Sequence, residues 1–130
     1  MLSTFKVPKD NDRYRWTRHV VRKMMHYRLT PSRVLRIVRA PERLEEGVAP
    51  GTLAGMQTAG TKTRPSELWA MWKEESASRT SFEEKTGIRT QPRRVIITAW
   101  RYPGTSPVRS AVPIPDDVLA ELDAEGLLEG

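Results

Sequence analysis

The sequence predicts an α+β fold: two N-terminal helices packed on a small three- to four-stranded antiparallel sheet, plus a C-terminal helix. Three observations carry that expectation. Apolar residues recur at helical spacing from Val20 to Val38; three strand-like runs then follow one another at 52–58, 68–72 and 94–102; helical spacing returns from Asp116 to Glu125. Helices followed by consecutive strands place the helices on one face of an antiparallel sheet. A chain of 130 residues suits one domain with a core of its own.

Met1–Arg15 has no sustained periodicity and reads as an N-terminal arm. Thr17 is a candidate N-cap. Behind it Val20, Val21, Met24 and Tyr27 form an apolar stripe, while Arg15, Arg18, Arg22 and His26 step by three, four and four along a cationic one. His19 and Lys23 lie beside that second stripe. The helix is expected to end near Arg28. Thr30-Pro31 restarts a helix, because threonine caps and proline fits the first helical position. Val34, Ile37 and Val38 make its apolar face, Leu35 lies near the edge, and Arg33, Arg36 and Arg39 take the remainder. Ala40-Pro41 ends it.

Glu42–Gly51 is polar and turn-like. Thr52–Thr58 is a thin strand weakened by Gly55, and Gly60–Pro65 is a connector. Leu68-Trp69-Ala70-Met71-Trp72 is a strand whose alternation sends Trp69 and Trp72 to opposite faces, so at most one of them belongs to the core. Glu75–Gln91 reads as a long polar loop with a helical turn at Ser81–Lys85. The strongest strand runs from Arg94 to Tyr102 through Val95-Ile96-Ile97-Thr98-Ala99-Trp100, stopped by Pro103-Gly104. Ser106–Pro115 is extended and proline-punctuated. The last helix offers Val118, Leu119 and Leu122 to the core, with Gly126 at its end. The chain thus divides into an arm (1–15), an α+β domain (16–103) and a proline-rich segment with an acidic C-terminal helix (104–130).

Composition excludes several chemistries. There is no cysteine, hence no disulfide, thiolate metal site or cysteine nucleophile. No apolar run is long enough to span a membrane and no secretory signal opens the chain, so a cytoplasmic protein is expected. Two histidines without an acidic companion on their helix do not make a metal site. No glycine-rich phosphate loop, paired-carboxylate site or serine-nucleophile motif is present, and no cofactor is expected.

Charge is unevenly distributed. Net charge is +6, but residues 1–43 carry twelve Lys/Arg against three Asp/Glu, whereas the last fifteen residues hold six acids and no Lys or Arg. Such asymmetry points to a polyanion-binding face near the N-terminus. It also allows the acidic tail to lie over the basic helix and mask it.

Trp16-Thr17-Arg18-His19, followed by Met24, Leu29-Thr30, Val34 and Pro41, and later by Val95-Ile96-Ile97-Thr98-Ala99-Trp100-Arg101-Tyr102, resembles a bacterial and phage domain-of-unknown-function family. That family is similar to BrnT-type toxins of the RelE/ParE-like group, many of which are ribonucleases of toxin–antitoxin pairs. The resemblance spans roughly residues 16–103, with a long excursion at 75–93. Lys23 stands where the family has arginine, and Tyr27-Arg28 where it has Arg-Gly. The resemblance implies RNA as target, with an antitoxin or a host protein as partner.

Metal-independent RNA cleavage through the 2′-hydroxyl needs a base, an acid for the leaving oxygen, and cations for the developing charge. Histidine suits the first two roles. His19 and His26 are seven apart, roughly 10 Å along a helix, so one histidine with cations is the better set. The expected catalytic residues are His19, Arg22 and Lys23, with Arg94 or Arg101 from the last strand. Arg15, Arg18, Arg28, Arg93 and Tyr102 would contact RNA. His19 has a structural alternative: a hydrogen bond to the sheet that orients the first helix. Function divides likewise between a toxin-like endoribonuclease and a noncatalytic module binding nucleic acid or a host protein.

Overall fold

The structure is a computed structural model and describes residues 5–75, 86, 92–108 and 111–128. The elements are β1 (Tyr14–Trp16), α1 (Arg18–Tyr27), α2 (Pro31–Arg39), β2 (Arg43–Glu46), β3 (Leu53–Gly60), β4 (Pro65–Glu75), β5 (Arg93–Pro103) and α3 (Asp116–Ala124). Most of the polar stretch 75–91, with its expected turn at 81–85, lies outside the described residues.

The expected three- to four-stranded antiparallel sheet is corrected in two ways. The sheet has five strands in the order β1-β5-β4-β3-β2, and β1 runs parallel to β5, so it is mixed. The two additional strands come from segments without strand periodicity. β1 is only three residues long and is shaped by polar side chains: Asn11 Oδ1 accepts from the Arg13 and Tyr14 amides at 2.8 Å each, and Asp10 Oδ1 from the Trp16 amide at 2.9 Å. β2 turns Arg43 and Glu45 inward and leaves Leu44 exposed, which inverts the usual pattern.

The helix signals translate directly. Thr17 Oγ1 accepts from the Val20 amide at 3.0 Å and Thr30 Oγ1 from the Arg33 amide at 3.2 Å. Each hydroxyl satisfies one of the unpaired amides at a helix start. β1 ends where α1 begins, with the Thr17 amide on Ile96 O and the Thr17 hydroxyl on Ile97 O. From there α1 runs beside the rest of β5, with His19 at Thr98 and Tyr27 at Arg101.

The sheet is covered on both faces. Leu68, Ala70 and Trp72 of β4 join the core shared with α1 and α2; Trp69 and Met71 join a second core with Val118 and Leu122 of α3. Trp69 and Trp72 do alternate, but both are buried, because α3 closes the face that a one-sided sheet would leave wet. Leu119, expected in the core, is 38% exposed. Ring planes of Trp69 and Trp100 stack at 5.9 Å between centroids. A bulge interrupts the β4–β5 register between Met71 and Trp72: Met71 pairs with Thr98 and Trp72 with Ile96, so Ile97 is the extra residue. Among the described residues, no helix is long and apolar enough to cross a membrane.

Candidate nucleic-acid interface and the His19 cluster

Residues 18–39 contain seven Lys/Arg and no Asp/Glu. The inner sides of α1 and α2 are apolar and buried, through Val20 and Met24 on one helix and Val34, Ile37 and Val38 on the other. The arginines are therefore driven outward. Arg18, Arg28 and Arg36 are exposed, and among the described residues they form no side-chain hydrogen bond or ion pair. Arg33 Nη2 donates to Thr58 O at 3.3 Å; Arg39 Nε donates to Tyr14 Oη at 3.2 Å, with its guanidinium 5.6 Å from the Tyr14 ring centroid. Neither contact supplies a negative charge. Among the described residues, the helical hairpin thus presents five arginines that no carboxylate neutralises.

The other side of α1 is closed. His19 is 1% exposed, with Nδ1 3.0 Å from Glu125 Oε2 and Nε2 2.7 Å from Thr98 Oγ1. Burial pulls its pKa below the ordinary value, outweighing the raising effect of Glu125 and Glu121. A neutral ring fits this setting: Nδ1–H donates to Glu125, and Nε2 accepts from the Thr98 hydroxyl. Lys23, also buried, donates to Asp117 and to Glu121 at 2.9 Å each. Its burial disfavours the charge, but those two carboxylates win and hold its pKa above normal. Arg22 pairs with Glu125, and Tyr27 Oη donates to Asp117 at 3.0 Å. Burial and Asp117 together push the Tyr27 pKa up. Burial acts to raise Asp117 and Glu125, yet their cationic partners lower both.

Of the residues expected to act together, His19, Arg22 and Lys23 do converge, and what joins them is the acidic face of α3. Arg94 and Arg101 do not join them. Arg101 Nη2 donates to Tyr27 O at 3.4 Å, eight residues along α1 from His19, about 12 Å on a helix. Arg94 pairs in register with Tyr14 at the opposite end of β5. Arg15 and Arg93 share Glu75, at 3.1 Å and 2.8 Å. Tyr102 is half-buried against the second core, and His26 is exposed with its ring edge-on to Tyr27.

Glu125, His19 and Thr98 have the order of a carboxylate–imidazole–hydroxyl relay. In this arrangement Thr98 is 0% exposed and His19 sealed, so no substrate atom reaches either. The hydrogen bond to the sheet orients α1 here. The sequence does not single out Glu125, Glu121 and Thr98 as partners of His19, or Asp117 as a partner of Lys23; the acidic tail is the one available signal.

A second buried polar cluster fixes the segment after β5. Glu67, 1% exposed, accepts from Ser106 Oγ at 2.6 Å, Ser106 N at 3.1 Å and Trp69 Nε1 at 3.1 Å. Arg43 completes it, donating to Ser106 Oγ and Glu45 at 2.8 Å each, with its guanidinium 5.2 Å from the Trp69 ring centroid. This cluster explains the inverted β2: its inward charges strap residues 106 and 107 across the sheet. Among the described residues, no group of His, Cys, Asp and Glu is placed to hold a metal ion. No family model, curated protein or solved structure matches the chain.

Proposed function

We propose that the protein is an RNA-directed, toxin-like protein that holds RNA on the arginine face of α1 and α2. The observation that supports this reading is the set of five outward arginines, Arg18, Arg28, Arg33, Arg36 and Arg39, on a hairpin without a single acid. Guanidinium groups at that density suit phosphate oxygens, and their strength toward RNA comes from released counterions. The resemblance to BrnT-type toxins supports RNA as the polyanion. Endoribonuclease chemistry at His19 belongs to a state in which α3 has moved away. The sealed His19 favours a second reading, in which the protein binds RNA without cutting it.

Fluorescence anisotropy with a 20-nucleotide RNA at several salt concentrations tests the reading. Replacing Arg18, Arg28 and Arg36 by glutamine should weaken binding and flatten the log–log salt slope by about 2, since each lost phosphate contact removes roughly 0.7. Binding that ignores salt, or a triple variant indistinguishable from the parent, would defeat it.

A further inference from the structure

The α3 helix is poorly suited to stand alone. It has nine residues, shorter than an isolated helix needs to persist in water. Pro115 at its N-cap makes no side-chain capping bond. Asp116 and Asp117 suit the positive end of the helix dipole, but Glu121, Asp123 and Glu125 crowd the negative end, where carboxylates are unfavourable. What it lacks internally is supplied by α1: Arg22 and His19 meet Glu125, and Lys23 meets Asp117 and Glu121.

Within α3 itself the apolar anchorage is two residues, with Leu127 and Leu128 just beyond it packed partly buried against the same core. Val118 and Leu122 are the buried residues of α3. Beyond its C-terminal end lies a cavity of about 120 Å³, bordered by Thr17, Ile97, Gly126 and Leu127. Those residues are chain neighbours of Arg18, Thr98 and Glu125, so a void adjoins the end of α3 that meets His19. Segments held by few apolar contacts open locally at lower free energy than the core.

Around Lys23 Nζ, two carboxylate oxygens sit at 2.9 Å each. That is the kind of charge-assisted contact phosphate oxygens make with an ammonium group. Arg22 is one helical turn from Arg18, which has no partner among the described residues. The arginine face and the α3-covered face are therefore continuous at this point.

We propose that α3 is an intramolecular stand-in for RNA phosphates, and that Arg22 and Lys23 are further RNA-contact residues that α3 occupies in this state. RNA seated on Arg18 competes with α3 for Arg22 and Lys23. Displacement of the helix extends the basic surface by those two cations and uncovers His19 and Thr98. The inference rests on the RNA-binding reading above.

The test uses the full chain with Asp117→Asn, Glu121→Gln and Glu125→Gln combined. These replacements keep side-chain size, hydrogen-bonding ability and the Val118 and Leu122 anchors while removing the three charges. Affinity for the 20-nucleotide RNA should rise at least about tenfold, and the salt slope should steepen by about 1.4 as Arg22 and Lys23 become available. Hydrogen exchange should show loss of protection in α3 with α2 unchanged, which also reports that the variant is folded. In the parent protein, saturating RNA should lower α3 protection in the same way.

If the parent binds RNA through the arginine face but the variant has the same affinity and slope, the stand-in role is overturned and RNA binding survives. Unchanged α3 protection in RNA-saturated parent protein overturns it equally, whatever the variant does. If neither protein binds RNA while α2 stays protected, the RNA-binding reading falls and takes this inference with it.

Discussion

Arg28 shows how one backbone angle separates stability from function. It closes α1 with φ 58° and ψ 48°, the left-handed conformation, and its amide reaches back to Met24 O and Met25 O. Glycine adopts this conformation without penalty, whereas a residue with a Cβ is strained by about 1–2 kcal/mol. Arg28→Gly should therefore stabilise the fold by about 1 kcal/mol, read as a higher denaturant midpoint, while weakening RNA binding by removing an unneutralised cation. A variant that loses stability, or binds RNA as tightly as the parent, contradicts one half of that expectation. The legible residues were those whose partners are near in sequence: Thr17 and Thr30 cap amides three residues away. The sequence places Lys23 beside the arginine stripe as a candidate catalytic cation, whereas its partners, Asp117 and Glu121, lie 94 and 98 residues on. No local pattern encodes a contact of that range.

At the scale of elements, β4 and β5 were legible because aromatic and β-branched residues fill them, and their full extent exceeded the apolar runs at both ends. β1 and β2 were not. One is three residues held by side chains of the preceding turn; the other places charge inward to reach Ser106. The α3 helix was legible as a helix, but its docking on α1 has a pH signature that only the assembled cluster reveals. His19 has a folded pKa below its ordinary 6.5, so on acidification the unfolded chain takes up a proton that the folded chain resists. Stability is full above 6.5 and falls as pH drops below it. Asp117 and Glu125 are also lowered, so their contribution is present above about 4 and lost as pH falls through their folded values. Lys23 is raised, so its contribution persists to about 10.5 and is lost only above that. The melting temperature should be level between roughly pH 7 and 10 and decline in two acid stages. His19→Gln should remove the first stage and leave the second. An unchanged onset near pH 6.5 in that variant would refute the assignment to His19.

At the scale of the whole molecule, the decisive fact is that both sheet faces are buried. The sequence directed attention to one face, because the two N-terminal helices precede the strands and their apolar stripes are unmistakable. The second face is closed by a short helix and an extended segment, whose Val112 and Ile114 lie against the same core as Val118 and Leu122. The expectation that the last helix contributes to a core fits Val118 and Leu122, and the segment before it adds Val112 and Ile114; together they cover Trp69, Met71, Val95, Ile97 and Trp100. Removing residues 104–130 should be far more damaging than removing a tail. Val118 and Leu122 are 0% exposed, and losing the burial of two such side chains costs about 4 kcal/mol. The buried Glu67 carboxylate would also lose both its Ser106 donors, at about 1–3 kcal/mol or more for a charged acceptor. Those losses are comparable to the whole stability of a domain this size, about 5–15 kcal/mol. A chain ending at residue 103 should retain far-ultraviolet helical and strand signal, lose the near-ultraviolet signal of the stacked Trp69 and Trp100, and bind a hydrophobic dye. A sharp, cooperative thermal transition in that truncated chain, with the near-ultraviolet signal intact, would show that the first core alone carries the fold.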